Sequence, residues 1–366
     1  MRERAKRKPK TTFLSGAICL ASLAAACLPA RAQSPDILTS NAANRQELLV
    51  EGAKKEGAVV FYSAMIVNQA LRPLADAFMK KYPFIKMTYW RSDTEELVAK
   101  VNAEVRSNNQ LVDVLEGTGV GELAIQMNLV QPYHTPMLEA YPKAYRDPKE
   151  LWTPTRVSYF GTAYNTKLVP PDQVPRTYED LLDPRWKGKL AWRIGTSSGT
   201  PLFIANLRIA WGEAKANDYF NRLAEQKVVN FGSGSARTLV DRVMAGEFPI
   251  GLNIFAHHPL ISRAKGAPVN TALHDPVPAT SASMVVAKNA KHPHASLLLV
   301  DFILSKEGQE IMAKSEYFPA RPDVPALPQL APIVPTNAGF KELFVNPETL
   351  QKNAESSAKI LNDVFR

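Results

Sequence analysis

The chain has 366 residues and a formal net charge of +9, much of it concentrated at the N-terminus, where MRERAKRKPK (1–10) precedes the apolar FLSGAICLASLAAACLPA (13–30). Ala30-Arg31-Ala32 has the form of a cleavage signal, so the pattern predicts a signal peptide over residues 1–32. Removing its seven basic residues and one acid lowers the net charge from +9 to +3, which takes away the main support for a nucleic-acid or membrane-surface partner; Cys19 and Cys27 leave with it, excluding disulfides and thiolate metal sites.

The apolar run is short for a membrane span and no second candidate follows, so a soluble, exported chain is expected. A lipoprotein site at Ala24-Ala25-Ala26-Cys27 fits less well, because an aliphatic Leu is wanted where Ala24 stands. About 334 residues remain, more than one core usually holds, which predicts two lobes.

AVVFYS (58–63) reads as a strand, LRPLADAFMKKY (71–82) as a helix and IKMTYW (85–90) as a strand. SDTEELVAKVNAEV (92–105) reads as a helix with Ser92 and Glu95 at capping-box spacing, LVDVL (111–115) as a strand, and ELAIQMNLV (122–130) as the segment after a glycine turn. Strands alternating with helices predict an α/β fold with a helix-covered parallel sheet, which binds ligands at the carboxyl ends of its strands. Residues 132–185 are rich in Pro and Tyr, and a lobe crossing is expected near there. KLAWRI (189–194), PLFIANLRIAWG (201–212), NDYFNRLAEQ (217–226), ARTLVDRVMAG (236–246) and PIGLNIF (249–255) form a second strand-helix set. SASMVVAK (281–288) reads as a strand and 294–315 as one helical stretch.

GTSSGT satisfies G-x-S-x-G at Gly195, Ser197 and Gly199 between a predicted strand and helix, with His257 downstream. It can be a nucleophile elbow of a serine hydrolase, or a loop whose N–H groups and hydroxyls cradle an anion at a helix start. A short motif alone has many false positives, which favours the cradle. In EGTGVGE (116–122), Glu122 stands where a dinucleotide fingerprint needs its third glycine, so no cofactor is expected. His134, His274, His292 and His294 lie in Pro-containing polar stretches and are expected to be solvated. His257 and His258 would point to opposite faces if the strand stays extended; the expectation is His257 toward a cleft and His258 away.

TAYNTKLV (162–169), TYEDLLDPRWKGKL (177–190), the SSGT helix start, MAGEFPIGL (244–252), KGAPV (265–269) and the stretch HPHASLLLVDFILSKEGQEIM with YFPARPDV together resemble extracellular solute-binding proteins of ABC importers. The likeness is to the branch with ferric-iron binders and relatives that bind phosphonates, phosphorylated sugars or other small organic ligands. It implies a type II periplasmic-binding fold: lobe one from 33–158 and 280–332, lobe two from 159–279 and 333–366, with crossings near Tyr159–Thr166 and Pro278–Val285. In ferric members a tandem tyrosine pair falls at the segment matching Ala256-His257, a histidine at Ile66 and an acidic ligand near Thr118; the residues present offer at most one imidazole, so a metal is not expected. The anion-contacting segment matches Ser198-Gly199-Thr200. The resemblance implies a periplasmic, non-enzymatic monomer that carries a small polar, anionic solute to an inner-membrane ABC permease, with a ferric binder and an exported serine hydrolase as alternatives. Expected solute contacts are Ser63, Arg91 and Thr118 at strand ends of lobe one, and Tyr164, Ser198, Gly199, Thr200 and His257 in lobe two.

Overall fold

The computed structural model describes residues 36–194, 200–230 and 236–365. Helix α1 (Arg45–Glu56) ends at Gly57, whose φ of 66° is the left-handed closure that glycine adopts without penalty, and β1 (Ala58–Ser63) follows at once. Then come α2 (Arg72–Lys81), β2 (Lys86–Arg91), α3 (Thr94–Arg106), β3 (Val114–Thr118) and α4 (Val120–Gln126), with β1 parallel to both β2 and β3. The pleat explains why AVVFYS is apolar on both faces. Val59 and Phe61 enter one core with Leu74 and Phe78 of α2, while Tyr62 enters another with Leu97, Val98 and Val101 of α3.

The third strand lies three residues later than 111–115. Asp113 is fully buried and its carboxylate accepts from the Val60 N–H at 2.8 Å, so it anchors the loop, and pairing with β1 starts at Val114. Ser92 does not form the expected capping box with Glu95. Asp93 is the N-cap residue of α3, and the Ser92 hydroxyl bonds Glu96 instead.

Strand β4 (Thr153–Asn165) changes partners along its length. Up to Tyr159 it pairs with β9 (Val277–Val286); from Phe160 it pairs with β7 (Ile250–Phe255), and from Thr162 with β8 (Val269–Ala272). Between them run β5 (Leu190–Trp192), α5 (Thr200–Trp211), α6 (Glu213–Glu225), β6 (Val229–Asn230), α7 (Ala236–Ala245) and α8 (His257–Ala264). The chain closes with α9 (Pro293–Leu304), α10 (Lys306–Lys314), β10 (Phe318–Pro319), α11 (Pro335–Ala338), β11 (Glu342–Phe344) and α12 (Pro347–Val364). The sheet order is β2-β1-β3-β9-β4-β7-β5-β6, with β8 and β10 on β4 and β11 on β9. An aromatic core of Trp186, Trp192, Tyr219 and Phe220 underlies α5 and α6, separate from the core beneath α9.

The stretch 294–315 is two helices rather than one. Ser305 is extended (φ −66°, ψ 164°) and its hydroxyl accepts from the Gly308 N–H at 3.2 Å, capping α10, while Gly308 packs so closely on the Phe302 carbonyl that a side chain would collide. Upstream, α9 is buried almost all round, which a helix wedged between layers requires. Leu298→Ala there would remove about 2–5 kcal/mol of stability.

Candidate functional site

A cleft of about 760 Å³ opens where the carboxyl ends of β2, β3 and β7 meet the sides of β4 and β9. Its interior is built around Arg156, a charge in an otherwise buried strand. Arg156 pairs with Glu116, which is fully buried, and its guanidinium lies 4.7 Å from the Tyr317 ring centre. Glu116 also accepts from the hydroxyls of Ser63 at 2.6 Å and Thr155 at 2.9 Å. Three donors thus converge on one carboxylate while the Tyr317 ring stacks on the guanidinium, which is held facing the cleft.

The expected contacts separate into groups. Arg91, Thr118 and His257 line the cleft together. Arg91 bonds Asp93 at 3.3 Å, and the Thr118 carbonyl accepts from the Thr94 hydroxyl at 2.8 Å. Ser63 lies behind the wall, fully buried, donating to Glu116 and accepting from the Met65 N–H. Thr200 is buried and donates to the Arg193 carbonyl at 2.7 Å; its neighbour Pro201 reaches the cleft. Tyr164 packs on the aromatic core, accepts from Asn270 at 3.0 Å, and is not in the lining. Ser197, Ser198 and Gly199 lie outside the described residues.

The histidine pair departs from expectation. β7 ends at Phe255 and α8 begins at His257, so helical geometry replaces strand alternation and both rings reach the cleft, 4.5 Å apart centre to centre. Neither His257 nitrogen has a hydrogen-bond partner among the described residues, and His258 Nδ1 has none either. Burial, and then the charges around it (His258, Arg156 and Arg237), hold His257 well below the usual imidazole range. Burial, with Arg237 and Arg156, pushes His258 down to about 3. Both are therefore neutral near pH 7, each with one N–H and one lone pair to offer. His274, expected to be solvated, is instead buried and bonded to the Thr162 hydroxyl at 2.9 Å.

Arg156, Arg193, Arg237 and Tyr317 are lining residues that the sequence did not single out; His258 was expected to face away, and Glu122 was noted only as standing where a glycine was wanted. Arg156 was detectable in principle, since an arginine inside the apolar run TPTRVSYFG needs a buried partner. Glu122 is half-buried, its Oε2 is shielded and unpartnered, and burial with the nearby Glu348 charge pushes its pKa up to about 7. The first turns of α3, α4, α5, α7 and α8 all contribute lining residues, so the partly positive ends of five helices converge on the cleft. Among the described residues no three His, Cys, Asp or Glu side chains converge as a metal site.

Comparison with known proteins agrees with this geometry. The family model described as bacterial extracellular solute-binding protein matches residues 109–343. An uncharacterized protein of Haemophilus influenzae is 28% identical over 285 residues, 73% of this chain and 79% of that protein. The periplasmic binding protein AfuA of Actinobacillus pleuropneumoniae, solved with fructose-6-phosphate bound, is similar with a TM-score of 0.69 at 23% identity, covering 84% of this chain and 97% of AfuA. A ferric binding protein from Campylobacter jejuni has a TM-score of 0.70 at 21% identity, covering 84% and 99%. The α/β fold is that of the two-lobe periplasmic binding proteins.

Proposed function

This chain belongs to the family of bacterial extracellular solute-binding proteins, and from that premise we propose that it is the periplasmic receptor of an ABC importer that captures a small anionic organic solute and performs no chemistry on it. Residues 1–32 act as the export signal in this reading, and the lobes divide as the sequence suggested.

The observation that carries it is a pair of neutral imidazoles beside Arg156 and Arg237, with both His257 nitrogens and His258 Nδ1 unpartnered among the described residues. Buried polar groups without partners are costly, roughly 1–3 kcal/mol each, and a solute oxygen that accepts from them removes that cost. An anionic group gains further from the guanidinium charges and the converging helix ends. The cleft volume of about 760 Å³ suits a small organic molecule.

Ferric iron is a second reading, supported by relatives named as an iron uptake protein and an Fe(3+)-binding periplasmic protein and by the Tyr317 phenol, which lines the same cleft 5.8 Å ring to ring from His257. Against it, burial first of all raises the Tyr317 pKa and keeps the phenol protonated, and Fe³⁺ prefers anionic oxygen donors. Native mass spectrometry of freshly purified protein, followed by calorimetry with fructose 6-phosphate, methylphosphonate, citrate and Fe³⁺, separates the two. The expected result is binding of an organic anion without a metal; a visible phenolate-to-iron band with no binding of any organic anion alone would replace it with the iron reading.

A further inference from the structure

The cleft has a second polar region, between α4 and α12, where Glu122 and Gln126 face Gln351 and Glu355. Glu122 Oε2 has no partner there, and neither has Oε2 of Glu348, whose other oxygen accepts from the Trp152 indole at 2.7 Å. No ion pair among the described residues involves either carboxyl. The fully buried Ser283 hydroxyl, also unpartnered, lies against Gly121, with Pro347 close by, and so marks the same junction.

A shielded carboxyl with another carboxyl beside it and no cation gives up its proton less readily, so Glu122 holds one to higher pH than an ordinary carboxyl. An anionic solute entering the cleft strengthens that preference. We propose that Glu122 is a solute-contacting residue that meets an uncharged oxygen of the solute, a hydroxyl, ether or carbonyl, as a protonated carboxyl donor. This rests on the anionic-solute reading above. It makes the solute a molecule with two ends: an anionic group at Arg156 and the histidines, and a neutral oxygen at α4.

Other charged groups face this region from each packed element. Glu348 and Glu355 come from α12, and Asp93 and Glu95 from the start of α3. Arg91 lies at the end of β2 and is paired with Asp93; Glu116 on β3 is already paired with Arg156; β9 contributes the hydroxyls of Ser281 and Ser283. Among the described residues Glu348 is the charge that acts on Glu122, and it reinforces burial in the same direction.

The test is calorimetry with fructose 6-phosphate at pH 6 and pH 8 on the wild type, Glu122→Gln and Glu348→Gln. The phosphate's own ionisation is common to all three and cancels in the comparison. For a donor half-protonated near pH 7, the wild-type affinity should fall about tenfold more between pH 6 and pH 8 than that of Glu122→Gln, whose amide keeps a donor at every pH. Glu348→Gln, which removes a charge that holds the Glu122 proton, should fall more steeply than the wild type over the same interval. On the wild type itself, titrations at pH 7.5 in buffers of different ionisation enthalpy should report proton uptake on binding. Equal pH dependence in the wild type and Glu122→Gln, or no proton uptake, would overturn the donor role while leaving the anion site standing. A relative rise of wild-type affinity with pH would mean that an ionised Glu122 takes a cationic group, which also overturns it. Failure of fructose 6-phosphate, methylphosphonate and citrate alike to bind any of the proteins would sink the underlying anionic-solute reading as well.

Discussion

Removing one imidazole from the cleft should make the solute-free protein more tolerant of acid. In the folded state burial, Arg237 and Arg156 push His258 down to about 3 from an ordinary 6.5, whereas in the unfolded chain it titrates normally. Below pH 6.5 the unfolded chain therefore binds a proton that the folded one refuses. Stability is full above pH 6.5 and is lost progressively as the pH falls toward 3. At pH 5.0 the loss from this one ring is about 2 kcal/mol, from 1.5 pH units at about 1.4 kcal/mol each. His257 adds to it in the same direction. Urea unfolding of the wild type and His258→Gln at pH 7.5 and 5.0 measures the difference. The variant should lose about 2 kcal/mol less than the wild type over that interval, and NMR should show the wild-type His258 ring still neutral at pH 5. Identical pH dependence of the two proteins, or a ring that titrates near 6.5, would refute the account of the site as one that keeps its imidazoles neutral and ready to donate. The same account predicts that these rings do not strengthen anion binding between pH 7.5 and 5.5, since neither becomes an imidazolium there.

Other outcomes follow from the geometry around Arg156 and at the cleft edge. Arg156→Met strands the fully buried Glu116 and should destabilise by about 3–5 kcal/mol in urea unfolding, while adding Glu116→Gln should recover much of the loss. Ser63→Ala should lower stability by about 1.5–3 kcal/mol, because it removes a bond to that carboxylate, and should weaken solute binding only through Arg156; a binding loss in calorimetry larger than that of Arg156→Met would place Ser63 against the solute instead. Tyr164→Phe should cost about 1 kcal/mol through its bond to Asn270 and leave calorimetric affinity unchanged; a tenfold loss of affinity would bring Tyr164 into the site.

The sequence by itself determined the α/β class and most of the elements, because these rest on local periodicity. AVVFYS is β1 over the residues expected, and PLFIANLRIAWG differs from α5 by one residue at each end. The family was equally legible, carried by many short phrases at once. Tertiary structure decided which polar residues face the cleft. Ser63 and Arg91 sit at the ends of adjacent parallel strands in matching register, yet one turns inward to Glu116 and the other lines the cleft. His257 and His258 depended on whether β7 continued or ended, and the antiparallel pairing of Phe255 with Phe160 leaves the next residues free to start a helix. Glu122 in the sequence is only a residue where a glycine was wanted; it becomes a candidate donor because α12, more than two hundred residues later, brings Glu348 beside it. Such pairings join residues far apart in the chain, and a hydrogen-bond partner or a neighbouring charge leaves no periodic mark on the segments that supply it.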